Sequence, residues 1–193
     1  MKAIRVHEPG GSDKLRYEDL GERAPRPGEL EIDVEAAGVN FIEIYQREGL
    51  YQMQRPYTPG SEAAGTVRAV GAGVTEFRPG DRVVSSKVQG AYAQRAIVVA
   101  ERSVRIPDAV TTKVAAAVFL QGLTAHYLTH STYPLKRGDG ALVHAAAGGV
   151  GLLLCQIAKR KYCCLRKKER RQTKLRRHFI FRRVQCVIIF LKY

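Results

Sequence analysis

Cysteine is nearly absent from most of this chain: of four in 193 residues, Cys163, Cys164 and Cys186 lie beyond Lys159, and only Cys155 precedes it. One cysteine supplies neither a disulfide framework nor zinc-finger spacing, so residues 1–159 must fold on their own core. Acid is what the last stretch lacks. After Lys159 there are thirteen basic residues and a single acid, Glu169, so residues 160–193 carry +12 of the formal +14. Residues 1–159 carry only +2, and a near-neutral body needs neither nucleic acid nor membrane to explain it. Long apolar runs are also missing. No window approaches the ~20 apolar residues that span a bilayer, and residues 187–191 read as a strand or a buried segment. The opening residues alternate polar and apolar side chains without the apolar core of a secretory signal, so a cytoplasmic protein is expected.

What is present is a globular composition, 45% hydrophobic with frequent glycine, which argues against disorder. Residues 2–7, 15–20 and 29–37 read as strands, divided by Pro9-Gly10-Gly11-Ser12-Asp13 and Pro25-Arg26-Pro27-Gly28. A short helix over 41–47 follows Asn40, a plausible N-cap. Further strands are expected over 66–70, 82–85 and 93–99, a spacing that suggests a compact barrel-like β domain. From Thr112 the pattern turns helical, with one segment over 114–120 and a second over 121–131. Residues 141–146 then read as a buried strand entering a glycine turn, and 152–159 as an apolar helix.

That strand, turn and helix resemble the opening of a nucleotide-binding α/β domain. Glycines allow the backbone to turn tightly and approach a pyrophosphate, whose charge the helix N–H groups and dipole stabilise. By local pattern alone, a tight turn without a ligand is equally acceptable. Beyond Lys159 the composition breaks: residues 160–193 contain no Gly, Ala, Pro, Ser, Asp or Asn. Neither a left-handed glycine C-cap nor an acid to hold a ribose follows the helix. We read 160–193 as a basic tail of aberrant origin, from out-of-frame or intronic sequence or a truncated splice product. Its run over residues 166–177 suits nucleic acid, anionic lipid or nuclear import by charge, but charge runs are usually solvated, so none of these is favoured.

Gly138-Asp139, Leu142, Ala146-Ala147-Gly148-Gly149-Val150-Gly151, Gln156 and Lys159 together resemble the signature of the quinone oxidoreductase and zeta-crystallin family. Gly38-Val39-Asn40-Phe41-Ile42-Glu43-Ile44-Tyr45, Pro59-Gly60-Ser61-Glu62-Ala63-Ala64-Gly65 and Phe77-Arg78-Pro79-Gly80-Asp81-Arg82-Val83 are similarly typical of the medium-chain dehydrogenase/reductase superfamily. The resemblance runs to about residue 159. It implies a mixed α/β chain: a GroES-like β-barrel-type catalytic domain over 1–125, then an incomplete Rossmann domain over 126–159, with the family pattern truncated there.

The resemblance further implies an enzyme that transfers hydride from NADPH to a quinone substrate without metal. Zinc-dependent members place Cys where this chain has Asn40 and His where it has Ser61. Neither replacement is a good zinc ligand, and Glu62 alone cannot make a three-ligand site, so no zinc is expected. Glu62 is expected instead as a buried carboxylate that steadies its surroundings. By resemblance Asn40, Tyr45 and Tyr51 line the substrate side and Thr124 reaches the nicotinamide, while Ala147, Gly148, Gly149, Val150 and Gly151 hold the cofactor. Each has a plainer alternative: helix capping for Asn40 and Thr124, amphipathic packing for the tyrosines. His126, His130 and His144 read as packing or surface residues, since no third ligand accompanies the first two. The family is homodimeric, an assembly not expected of this chain. An inactive fragment with an exposed strand edge over 141–146 is the alternative to an active enzyme.

Overall fold

The computed structural model describes residues 1–161 and two further strand segments, Cys164–Leu165 and Ile188–Leu191. The chain divides into two units, Met1–Leu120 and Gln121–Tyr193.

In the first unit, β1 (Lys2–Arg5) and β2 (Arg16–Asp19) form an antiparallel pair, and β3 (Glu29–Ala37) opens a larger sheet. Helix α1 (Phe41–Glu48) separates β3 from β4 (Ala63–Val70), and β5 (Arg82–Ser85), β6 (Val88–Gln89), β7 (Arg95–Val99) and β8 (Ser103–Arg105) complete it. The order is β6-β7-β3-β4-β5-β8, antiparallel throughout. Successive residues of a strand point to opposite faces, and this sheet buries both. Ala63 and Val83 join Leu30, Ile32, Val67 and Val98 in one core, while Ala64 and Val84 pack with Ile106, Ala115 and Ala116 in another. Covering on both sides explains why the 63–65 and 83–84 stretches run apolar rather than alternating. Ala115 and Ala116 come from α2 (Thr112–Tyr127), which is one continuous helix through position 120 rather than two segments.

In the second unit a π turn at Leu128–Thr132 ends the helical run. Strand β9 (Gly140–Val143) leads through a turn into α3 (Gly149–Arg160), and β10 (Cys164–Leu165) returns parallel to β9. This is a βαβ unit, the building block of a parallel nucleotide-binding sheet. Strand β11 (Ile188–Leu191) lies antiparallel on the other side, so the order is β10-β9-β11. Position 188–191 is therefore a strand, as expected. The exposed edge expected over 141–146 is corrected: residues 140–143 form the central strand, with both neighbours supplied from beyond Lys159. The mixed α/β class, with an antiparallel GroES-like unit preceding a Rossmann-type start, is the one expected. Residues 166–187 of the basic tail lie outside the described residues.

Candidate active site

Asn40 sits at the junction of β3 and α1, where the chain leaves the sheet and extended backbone (φ −122°, ψ 148°) gives way to helix. It is the N-cap, and it closes a capping box with Glu43 at N3. The Glu43 carboxylate accepts the Asn40 backbone N–H at 2.5 Å. It does more than cap. The same oxygen, Oε2, accepts the Tyr92 hydroxyl at 3.1 Å, and the other, Oε1, accepts the Ser61 N–H at 3.0 Å and the Ser61 hydroxyl at 2.7 Å. Glu43 is buried and Tyr92 partly so; burial, with the Glu43 carboxylate adding to it, pushes the Tyr92 phenol up.

Glu62 is fully buried. The Asn40 Nδ2 donates to its Oε2 at 3.4 Å, and the Leu120 N–H donates to its Oε1 at 2.7 Å. Burial is the main cause that raises its carboxyl; the Leu120 and Asn40 donors hold it down in part, and nearby Glu43 pushes it further up. Gly38 is where this carboxylate passes the backbone, since a Cβ there would stand 2.1 Å from Glu62 Oε2. Glu62 thus bridges two segments as a buried carboxylate. Sequence reasoning missed Glu43 as a site residue. Asn-x-x-Glu before an apolar stretch was a legible capping signal, but its partners Ser61 and Tyr92 stand 18 and 49 residues away.

Tyr45 and Tyr51 meet edge to face with ring centroids 6.1 Å apart, and Phe41 lies 6.5 Å from Tyr45. The sequence therefore brings Asn40, Tyr45 and Tyr51 to one short stretch around α1. Val39, Phe41, Ile42, Leu50 and Tyr51 expose their side chains beside them, an apolar and aromatic rim around a polar amide.

In the second unit, Gly148 caps α3 in extended conformation and its N–H returns to Ala145 O at 2.8 Å. Ala145 adopts φ +50°, the only non-glycine positive φ among the described residues. Gly151 cannot carry a side chain, because a Cβ would lie 2.3 Å from the Ala145 carbonyl oxygen. The first-turn N–H groups at Gly149, Val150 and Gly151 have no intrahelical acceptor, and no acid occupies that turn. Ala145, Ala146, Ala147 and Gly148 are exposed. Small side chains, free N–H donors and the positive end of a helix dipole suit a diphosphate. Thr124 lies inside α2 and is exposed. The helix-start capping role considered for it is therefore excluded, because α2 begins at Thr112. His126 and His130 stack on each other at 4.0 Å, and no group of three or more His, Cys, Asp or Glu among the described residues could hold a metal ion.

Comparison with known proteins adds the family. Residues 26–135 match the model of the alcohol dehydrogenase GroES-like domain. A quinone oxidoreductase of Pseudomonas aeruginosa is 45% identical over 160 residues, covering 82% of this chain and 49% of that protein. A mycobacterial structure complexed with NADPH superposes with a TM-score of 0.83 at 50% identity, covering 86% of this chain and 52% of the other. The Escherichia coli quinone oxidoreductase complexed with NADPH gives a TM-score of 0.82 at 39% identity, with 86% and 51% covered. The chain thus spans about half the length of the curated relatives it matches. It belongs to the alcohol dehydrogenase GroES-like domain family, and within that family its likeness is to the quinone oxidoreductases.

Proposed function

We propose that this chain carries the substrate-side half of an NADPH:quinone reductase site, in which hydride passes from NADPH to a quinone without metal. The observation that carries this reading is the Asn40 environment: a half-buried amide set by two carboxylates within an aromatic rim. An amide N–H suits a quinone carbonyl, and aromatic edges suit its ring. Asn40, Tyr45 and Tyr51 take that substrate role, and Thr124 the nicotinamide side. Ala147, Gly148, Gly149, Val150 and Gly151 take the diphosphate, with helix α3 supplying N–H donors. NADPH, when bound, supplies the hydride at its nicotinamide ring. The chain's own residues orient the acceptor carbonyl and exclude water around it. Domain limits of 1–125 for the catalytic part and 126–159 for the start of the nucleotide-binding part belong to this proposal, as does a cytoplasmic location.

The second reading is a catalytically inactive chain. It is favoured by the half-length match to the relatives and by the need of a parallel sheet for helices on both faces. The deciding experiment is NADPH oxidation by the 193-residue chain with a small quinone, beside Gly148→Asp. A Cβ at Gly148 meets only Ala145 O, at 3.2 Å, and its φ of −78° suits any residue. Asp is also a good N-cap, so α3 should keep its stability while a charge enters the diphosphate position. Quinone-dependent oxidation lost in Gly148→Asp supports the enzyme reading. Absence of oxidation from a folded wild-type chain supports the inactive one.

A further inference from the structure

We infer that Glu43 is a positioning residue that holds the substrate-facing amide of Asn40, acting as a carboxylate clamp between Asn40 and Ser61. The inference rests on the proposed role of Asn40. The two positions joined are those at which the sequence departs from a metal-binding pattern, and Glu43 links them directly.

Four donors from three separate segments converge on this buried carboxylate. Oε2 accepts the Asn40 N–H and the Tyr92 hydroxyl; Oε1 accepts both the N–H and the hydroxyl of Ser61. Asn40 is held on two sides, its backbone by Glu43 and its side-chain Nδ2 by Glu62. The Glu43 N–H in turn donates to the Asn40 backbone carbonyl at 3.1 Å. With one Nδ2 hydrogen engaged by Glu62, the amide has a second N–H to offer. That hydrogen-bond donor matches a carbonyl acceptor such as a quinone oxygen.

The number of donors makes the charge type matter. A carboxylate accepts all four, whereas an amide of the same shape has one accepting oxygen. In Glu43→Gln the new NH2 must face either Asn40 or Ser61. The hydroxyls of Ser61 and Tyr92 can turn to accept, but the backbone N–H groups cannot. Whichever way the amide lies, one of the Asn40 and Ser61 backbone N–H groups loses its acceptor inside the protein, a cost that buried donors resist. Glu43→Asp retains charge but is one methylene shorter and cannot span both sides.

The test follows the Asn40 side-chain amide in the full 193-residue chain labelled with 15N, its signal identified by its loss in Asn40→Ala. Wild type, Glu43→Gln and the core variant Val83→Ala are compared. Val83 is fully buried and its apolar side chain takes no part in the hydrogen bonds to Glu43, so Val83→Ala lowers stability without removing a donor from the clamp. The expected result is an ordered Asn40 amide in wild type and Val83→Ala, and a mobile one in Glu43→Gln. Where the chain oxidises NADPH with duroquinone, Glu43→Gln should lose about tenfold in kcat/KM for the quinone at unchanged NADPH affinity, whereas Val83→Ala should keep its rate per folded molecule. An Asn40 amide equally ordered in Glu43→Gln, or equally loosened in Val83→Ala, overturns the clamp. Absence of quinone reduction in every variant would instead strike at the proposed function, while the amide signal still decides the clamp.

Discussion

At the scale of single residues, Glu62 carries the clearest electrostatic consequence. Its carboxyl sits above the ordinary 4.5, chiefly because burial penalises the charge. The folded chain therefore binds that proton more tightly than the unfolded chain does. By linkage the contribution to stability is greatest below 4.5 and is lost as pH rises from 4.5 through the folded-state value. Thermal melts over this range should show wild type losing stability with pH and Glu62→Gln losing less; equal slopes would assign the dependence to other groups. Gly38 gives a steric counterpart. Gly38→Ala drives a methyl into Glu62 Oε2, and overpacking of this kind costs roughly 1–3 kcal/mol, which a denaturant midpoint would register. Asn40 and Glu62 were legible because they stand in recognisable motifs. Glu43 was not, because its burial is created by Ser61 and Tyr92, partners that no local pattern specifies.

Elements were legible where punctuation bounded them. The limits of β3 and β5 follow from Pro27-Gly28 and from Pro79-Gly80-Asp81, and the expected spans 29–37 and 82–85 match. Strands β6 and β8, of two and three residues, are too short to show alternation and escaped notice. Helix α2 is one element where the sequence suggests two segments, and its backbone runs through Gly122 unbroken. Glycine in a helix costs stability without forbidding the helix. The turn before α3 makes a sharper demand. Gly151→Ala places a methyl 2.3 Å from the Ala145 carbonyl oxygen, backbone that cannot swing aside, so the βαβ unit should lose roughly 1–3 kcal/mol, more than Gly148→Asp, whose Cβ stands 3.2 Å from the same oxygen. The β9–β11 pairing is testable in the same unit. Ile189 stands opposite Leu142, and Ile189→Pro removes a donor and distorts the strand. Amide exchange at positions 140–143 should then accelerate; unchanged protection would mean β9 is held without β11.

For the whole molecule, the distribution of charge separates two activities that an average would merge. The sequence pI of about 9.9 belongs mostly to residues 160–193, which carry +12, while residues 1–159 carry +2. A polyanion should therefore retain the chain through the tail by releasing counterions, with affinity that falls steeply as salt rises and does not distinguish one nucleic-acid sequence from another. The residues proposed for the quinone and diphosphate all lie before position 152 and owe nothing to that charge. Removing residues 160–193 should abolish retention on a nucleic-acid column at low salt and leave the Asn40 amide ordered, because Glu43, Ser61, Glu62, Tyr92 and Leu120 remain. Retention that survives physiological salt and prefers one sequence would require base contacts and would make the tail a recognition element. Retention that ends by physiological salt, together with an unchanged Asn40 signal, would confine the basic character to non-specific electrostatics and leave the Asn40 environment independent of the tail.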